Sequence, residues 1–153
     1  MFKMKIKELY QEDQRHIKKW EKNYTDKEFY KLNRRIRKKL EKLLKKKKNL
    51  TGKEEFICSM IFHHGFNISS SKKALKHLDK AREKGYKRQL WLKAAIIDRL
   101  LQLQNKPQRY GTQITKLKFG GYKQYKLDGT INDKERILIG LPPLKKLKEY
   151  LEK

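Results

Sequence analysis

Three polar side chains lie on helical faces that are otherwise apolar, which is where a buried site would be built. At 100° per residue, Asp13 falls at the centre of the first apolar stripe, His64 continues the stripe of the segment that precedes it, and Asp98 lies within the most apolar one. Burying an unpaired carboxylate costs several kcal/mol, so each aspartate needs a partner or a hydrated cavity.

A polar segment follows the stripe that carries Asp98 and its neighbour Arg99. It reads Lys-Pro-Gln-Arg-Tyr-Gly-Thr-Gln over residues 106–113, here called the QRYGTQ box after its last six residues. Its amides, phenol and hydroxyl are suited to orienting a polar ligand and poorly suited to a dry core. Gly111 predicts a positive φ or a close approach to the backbone, in a ligand site or in a tight turn.

The convergence of these groups predicts a polar pocket. His64 and Asp98 would be its acid–base pair; Asp98 could fix the imidazole tautomer or, alternatively, Arg99 could hold an anionic group. The ligand would be held by a wider set of polar side chains: Asp13, Arg99, Gln108, Tyr110, Thr112 and Gln113.

Each residue also has a structural interpretation. Asp13 could pair with a lysine at the surface, and His64 could be a satisfied core histidine or the polar residue at its helix exit. Asp98 could pair with an arginine or cap the backbone amides of the following loop.

The charge balance favours anionic partners. The chain of 153 residues has 42 lysines and arginines against 17 acidic residues, a net charge of +25. Such a field attracts polyanions. Lysine outnumbers arginine 33 to 9, which is typical of backbone contacts rather than base readout.

The densest charge lies at residues 34–48, where the apolar residues keep helical register and the basic residues therefore share an outer face. This face is either solvated without a dedicated partner or a phosphate-backbone footprint. The footprint would comprise Arg34, Arg35, Arg37, Lys38, Lys45, Lys46, Lys47 and Lys48.

Several classes of protein are excluded or disfavoured. One cysteine, Cys58, rules out an internal disulfide and suits a reducing compartment, and its apolar surroundings predict a buried, inert thiol. No apolar run approaches the roughly 18 residues of a membrane span, and the first residues lack a signal peptide's apolar region. We therefore expect a cytoplasmic protein with no membrane partner. Nucleotide-binding glycine motifs and metal-ligand spacings are absent, so no cofactor and no metal are predicted.

The elements that position these residues are mainly helices. A single domain over 1–153 is predicted, with a helical core at about 3–104. Capping boxes at 25–28 and 51–54 start two of the helices, the serines at 69–71 supply the next N-cap, and Gly85 is the C-cap of that helix. The most apolar helix is predicted at about 87–104.

The pattern changes after the QRYGTQ box. Alternating residues predict a small hairpin at about 114–127 with a turn at Gly120-Gly121. A short helix, a Gly/Pro break and a final amphipathic helix complete the segment at 105–153. The prediction is a mainly α, single-domain bundle of about five to seven helices with one small hairpin.

These motifs resemble an uncharacterised, mostly bacterial domain family. The resemblance rests on the Asp98-Arg99 pair, the box at 106–113, and a C-terminal segment that runs from Asp133 through Arg136 to Leu144. His64 and Asp13-Gln14 match further positions, while a Gly-Trp-Pro turn of the family is replaced by a lysine run. The resemblance supports the site residues and implies no particular reaction.

Three functional hypotheses of different classes follow from these observations. The first is a pocket that binds, with or without a reaction, a small anionic ligand of nucleotide or phosphate type. The alternative is sequence-nonspecific nucleic-acid binding through the lysine-rich helix faces. The third is a module whose basic face docks an acidic protein.

Overall fold

The structure, a computed structural model, describes residues 5–23, 25–116 and 122–151. Within these residues it has seven α-helices and one two-stranded hairpin, which confirms the mainly α fold. The chain groups into two compact units, Met1–Lys87 and Arg88–Lys153. The single domain over 1–153 stays a prediction.

The first unit is built around its third helix. Seven consecutive residues of that helix, Phe56 to Phe62, are buried. It packs along the fourth helix, and the first helix contacts both the second and the third. The helices are α1 (Ile6–Asn23), α2 (Asp26–Lys46), α3 (Gly52–His63) and α4 (Ile68–Glu83).

The start of each of the last three helices in this unit is fixed by a side-chain cap. Both predicted capping boxes form, with Thr25 starting α2 and Thr51 starting α3. The predicted serine cap of α4 is wrong, because Asn67 is the N-cap and accepts from the backbone N–H of Ser70. Asn caps as well as serine does, and Ser71 is buried inside the helix instead.

Glycines shape both ends of α4. At its C-terminus Gly85 has φ +78°, and the N–H of Tyr86 reaches back to the carbonyl of Ala81, as predicted for a glycine C-cap. Before its N-terminus, a Cβ on Gly65 would lie 2.5 Å from the Ser70 side chain. The chain between α3 and α4 can therefore pass this point only with glycine.

The second unit begins with a helix shorter than predicted. This helix, α5, spans Leu92–Leu103 rather than 87–104. Gln89 has φ +51°, a left-handed conformation that interrupts a helix. Leu90 and Trp91, which belong to the apolar segment predicted as this helix, lie before its start and are 44% and 37% exposed.

The remainder of the second unit follows the predicted order. Strands β1 (Ile114–Lys116) and β2 (Tyr122–Gln124) pair antiparallel with Thr115 opposite Lys123, which confirms the hairpin. Its predicted turn at Gly120-Gly121 lies outside the described residues. The short helix α6 (Asp133–Leu138) and the final helix α7 (Leu144–Leu151) follow, with Gly140 between them at φ +80°. None of the described helices is long and apolar enough to cross a bilayer.

We expect Cys58 to be unreactive in the folded protein. The side chain is fully buried in α3, and burial, reinforced by Glu55 and Glu54, raises its pKa to about 12 from 9.0. At pH 8 the thiolate should be about a thousandfold scarcer than in the unfolded chain. A chromogenic disulfide reagent should label the denatured protein completely and the native protein only as it opens. Native labelling at the denatured rate would contradict this packing.

Candidate functional site

The QRYGTQ box is organised around the buried carboxylate of Asp98. One oxygen accepts from the backbone N–H groups of Arg109 and Tyr110, at 2.8 and 2.9 Å. The other accepts from the backbone N–H and the hydroxyl of Thr112, at 2.9 and 2.7 Å. The side chain is 0% exposed. Asp98 therefore caps the amides of the following loop, one of the two structural roles that its position suggested.

The two glutamines of the box are also bonded within the unit. The side-chain oxygen of Gln108 accepts from the backbone N–H of Gln113 at 2.8 Å, and its amide donates to the carbonyls of Gln113 and Tyr125. Gln113 in turn accepts from Arg99 Nε and donates to the carbonyl of Ala95. These amides tie α5, the box and the hairpin together.

The other box residues complete this framework. Gly111 has φ +76°, and a Cβ there would lie 2.9 Å from the Gln124 amide and 3.0 Å from the Arg136 guanidinium, so both features predicted for this glycine occur. Arg136 is buried, and its Nε donates to the carbonyl of Pro142. Burial lowers the pKa of Arg136, opposed by the nearby Asp133 and Asp98. Tyr110 is half-buried beneath the guanidinium of Arg109, 5.5 Å from its ring centroid.

In the first unit, Asp13 pairs with His64. The carboxylate is 1% exposed and lies 2.8 Å from His64 Nδ1, and its second oxygen accepts from Asn33 at 3.3 Å. Asn33 accepts from Arg37 Nε at 2.7 Å, and Arg37 Nη1 donates to Ser70 at 2.7 Å. A continuous polar chain thus links α1, α2, α4 and the residue that follows α3. Arg37, assigned above to the basic footprint, uses these donors internally, and burial lowers its pKa.

The rest of the basic run divides between a groove and open surface. A groove of about 800 Å³ lies between α2 and α4. Arg34, Arg35 and Lys46 are exposed but do not line it. One wall is formed by α2 and the residues after it, the other by α4, and the lysines of the two walls are Lys38, Lys42, Lys45, Lys47 and Lys48, and Lys73, Lys76 and Lys80.

The floor of this lysine-lined groove contains a carboxylate–imidazole pair. Glu55 on α3 is 3% exposed, and its Oε2 lies 2.6 Å from Nδ1 of His77 on α4. Its other oxygen accepts from Lys84 at 3.2 Å. The His77 ring is stacked on the buried Phe62, with 5.5 Å between centroids and an interplanar angle of 11°. His77, Glu55 and Phe62 all line the groove.

Sequence reasoning did not single out Glu55 or His77, although the signal was present. Glu55 lies about one helical turn before Cys58 and two before Phe62, and His77 lies on the flank of the stripe formed by Ala74, Leu78 and Ala81. Neither residue lies at the centre of an apolar stripe as Asp13 does, so this signal is weaker than the one that identified Asp13. The groove itself depends on the packing of α2, α3 and α4, which periodicity does not specify.

The predicted site residues fall into two hydrogen-bond networks, one in each unit. Asp13 and His64 are bonded to each other, and Asp98, Arg99, Gln108, Thr112 and Gln113 form one network in the second unit. The acid–base pairing of His64 with Asp98 stays a prediction. Among the described residues, no three His, Cys, Asp or Glu side chains are grouped to hold a metal ion.

Comparison with known proteins adds no relative. No family model, no curated protein and no solved structure matches the chain.

Removing the carboxylate of Asp98 should unfold the box. Asp98→Ala leaves three backbone N–H groups and a hydroxyl without their acceptor, so we expect a loss of about 3 kcal/mol or more of stability. Urea denaturation followed by circular dichroism measures this loss, and amide hydrogen exchange at Arg109, Tyr110 and Thr112 locates it. The control Glu149→Gln, at an exposed position, should change stability by less than about 0.5 kcal/mol. Unchanged amide protection in Asp98→Ala would refute the capping role.

Proposed function

We propose that the protein binds the phosphate backbone of nucleic acid, without sequence preference, in the lysine-lined groove between α2 and α4. The observation that carries this proposal is that lysines line both helical walls of one groove. It develops the nucleic-acid alternative drawn from the sequence. The proposed binding surface is now the groove between α2 and α4 and no longer one face of a single helix.

The spacing of the lysines supports a repeating anion. Lys38, Lys42 and Lys45 on α2 recur every three or four residues, as do Lys73, Lys76 and Lys80 on α4. Such residues share a helix face and follow one another by about 5–6 Å along the axis. A row of cations on each side suits a chain of phosphates better than a compact ligand with one anionic group.

Most of this charge is not neutralised by the protein. The groove has two carboxylates in its lining; Glu41 pairs with Lys73 and Glu55 with Lys84 and His77. Lys47 pairs with Glu54. In the described part of the chain, the groove lysines that make no ion pair are Lys38, Lys42, Lys45, Lys48, Lys76 and Lys80. An anionic chain would release the counterions that these ammonium groups hold.

The chemistry of the walls supports backbone binding over base readout. Lysine is a flexible point charge, whereas arginine, asparagine and glutamine provide the bidentate contacts most suited to reading bases. The groove lining contains none of these three residue types. The amides and hydroxyl of the QRYGTQ box, which the small-ligand hypothesis requires, are meanwhile engaged in hydrogen bonds within the second unit.

Neutralising the groove should weaken binding and its salt dependence together. In a variant with Lys42, Lys45, Lys76 and Lys80 changed to Gln, we expect the slope of log K against log salt to fall by about 3 for single-stranded RNA. Fluorescence anisotropy with a labelled oligouridylate of about twenty nucleotides, titrated at several salt concentrations, measures both quantities.

A second variant with the same charge change tests the location. Lys7, Lys18, Lys19 and Lys22 are exposed on α1, outside the groove, and their replacement by Gln removes four charges as well. It should retain most of the slope. Equal losses in the two variants would mean diffuse attraction by net charge and would reject the groove. Tighter binding of an acidic peptide than of RNA at equal charge would favour a protein partner instead.

A further inference from the structure

We propose that the Glu55–His77 pair makes the groove a ribonuclease site, in which His77 is the general base for cleavage of RNA by its own 2′-hydroxyl. This inference rests on the proposed function, because the lysine-lined groove must first hold the RNA backbone. It adds a substrate class, a reaction and a catalytic residue to a surface otherwise assigned to binding alone.

The protonation of His77 follows from its partner. Glu55 also accepts from the ammonium of Lys84, and a carboxylate held in this way acts as the acceptor toward His77. The proton between Glu55 and His77 therefore belongs to Nδ1. In the neutral ring this leaves the lone pair on Nε2, the arrangement a general base requires.

The free nitrogen of His77 is available to a substrate. Among the described residues Nε2 has no hydrogen-bond partner, and it is not among the buried unpartnered atoms, so it is open to solvent. The ring is held in place by Glu55 at Nδ1 and by Phe62, which stacks on one of its faces. A fixed imidazole in a groove walled by cations is therefore presented to whatever the groove binds.

Lysines line the same wall of the groove as His77, and one of them, Lys73, pairs with Glu41. Lys73 Nζ is 5.5 Å from the centroid of Phe62, the ring on which His77 is stacked. Lys76 and Lys80 line the same wall, one residue before and three after His77. Ammonium groups placed around a phosphodiester stabilise the additional negative charge of a pentacoordinate phosphorane.

The reaction is a transesterification that needs no other reactant. His77 Nε2 takes the proton of the 2′-hydroxyl while the 2′-oxygen forms a bond to the adjacent phosphorus, and the bond from phosphorus to the 5′-oxygen breaks. The leaving oxygen takes a proton from water, and the imidazolium then returns its proton to the hydroxide that remains. The products are a 2′,3′-cyclic phosphate end and a 5′-hydroxyl end.

The test uses the full chain and an oligouridylate, with mass spectrometry of the product ends. The wild-type protein should produce cyclic phosphate ends, and the matching 2′-deoxy oligonucleotide should bind and remain intact. His77→Gln should cut RNA at least about a hundredfold more slowly while binding it equally well. His16→Gln, which removes a histidine of α1 outside the groove, should cleave at the wild-type rate.

Glu55 acts through His77, so its role is tested by the tautomer of the His77 ring. In Glu55→Gln, Lys84 would hold the amide oxygen, so the NH₂ group would face Nδ1 and drive the ring proton to Nε2. Cleavage should fall, and ¹⁵N shifts of the His77 ring should report the exchanged tautomer. If this buried substitution prevents folding, as seen by circular dichroism, His77→Gln alone decides the matter.

The possible failures can be told apart. Binding without cyclic phosphate, or wild-type cleavage by His77→Gln, overturns the ribonuclease site and leaves the proposed binding function standing. Loss of salt-dependent binding to the groove overturns both.

Discussion

A buried carboxylate must be surrounded by donors, and three such groups organise this chain. Asp13 is held by an imidazole and an amide, Glu55 by an imidazole and an ammonium, and Asp98 by three backbone N–H groups and a hydroxyl. Each donor set comes from a different part of the chain. The need to satisfy these carboxylates therefore fixes which helices and loops must meet, in addition to what apolar packing requires.

The three carboxylates differ in the groups that they hold. Both oxygens of Asp98 accept hydrogen bonds from the loop that it caps. Asp13 and Glu55 each hold a histidine by Nδ1. Only the ring held by Glu55 lines the lysine-lined groove in the described part of the chain. The same local pairing therefore occurs in two different surroundings, and the proposed catalysis depends on the surroundings of His77.

Much of the fold could be predicted because its signals are local. Two capping boxes, the glycine after α4 and the alternation of the hairpin all depend on neighbouring residues, and they formed as expected. The errors occurred where competing local options exist: Asn67 caps α4 in place of the serines, and α5 begins only after the left-handed Gln89, later than its periodicity implies. Burial of Asp13 and Asp98 was predictable from periodicity, and capping of the following loop was one of the roles open to Asp98. The pairing of Asp13 with His64, 51 residues away, was not predictable.

The crowding of ammonium groups along the groove also bears on the stability of the first unit. Like charges on facing helices repel one another when the groove holds only water, and this repulsion opposes the approach of α4 to α2. The apolar residues of α3 and the Arg37–Ser70 bond resist that separation. Multivalent anions that occupy the groove would relieve the repulsion, so the resistance of this unit to heat is coupled to the ionic composition of the solution.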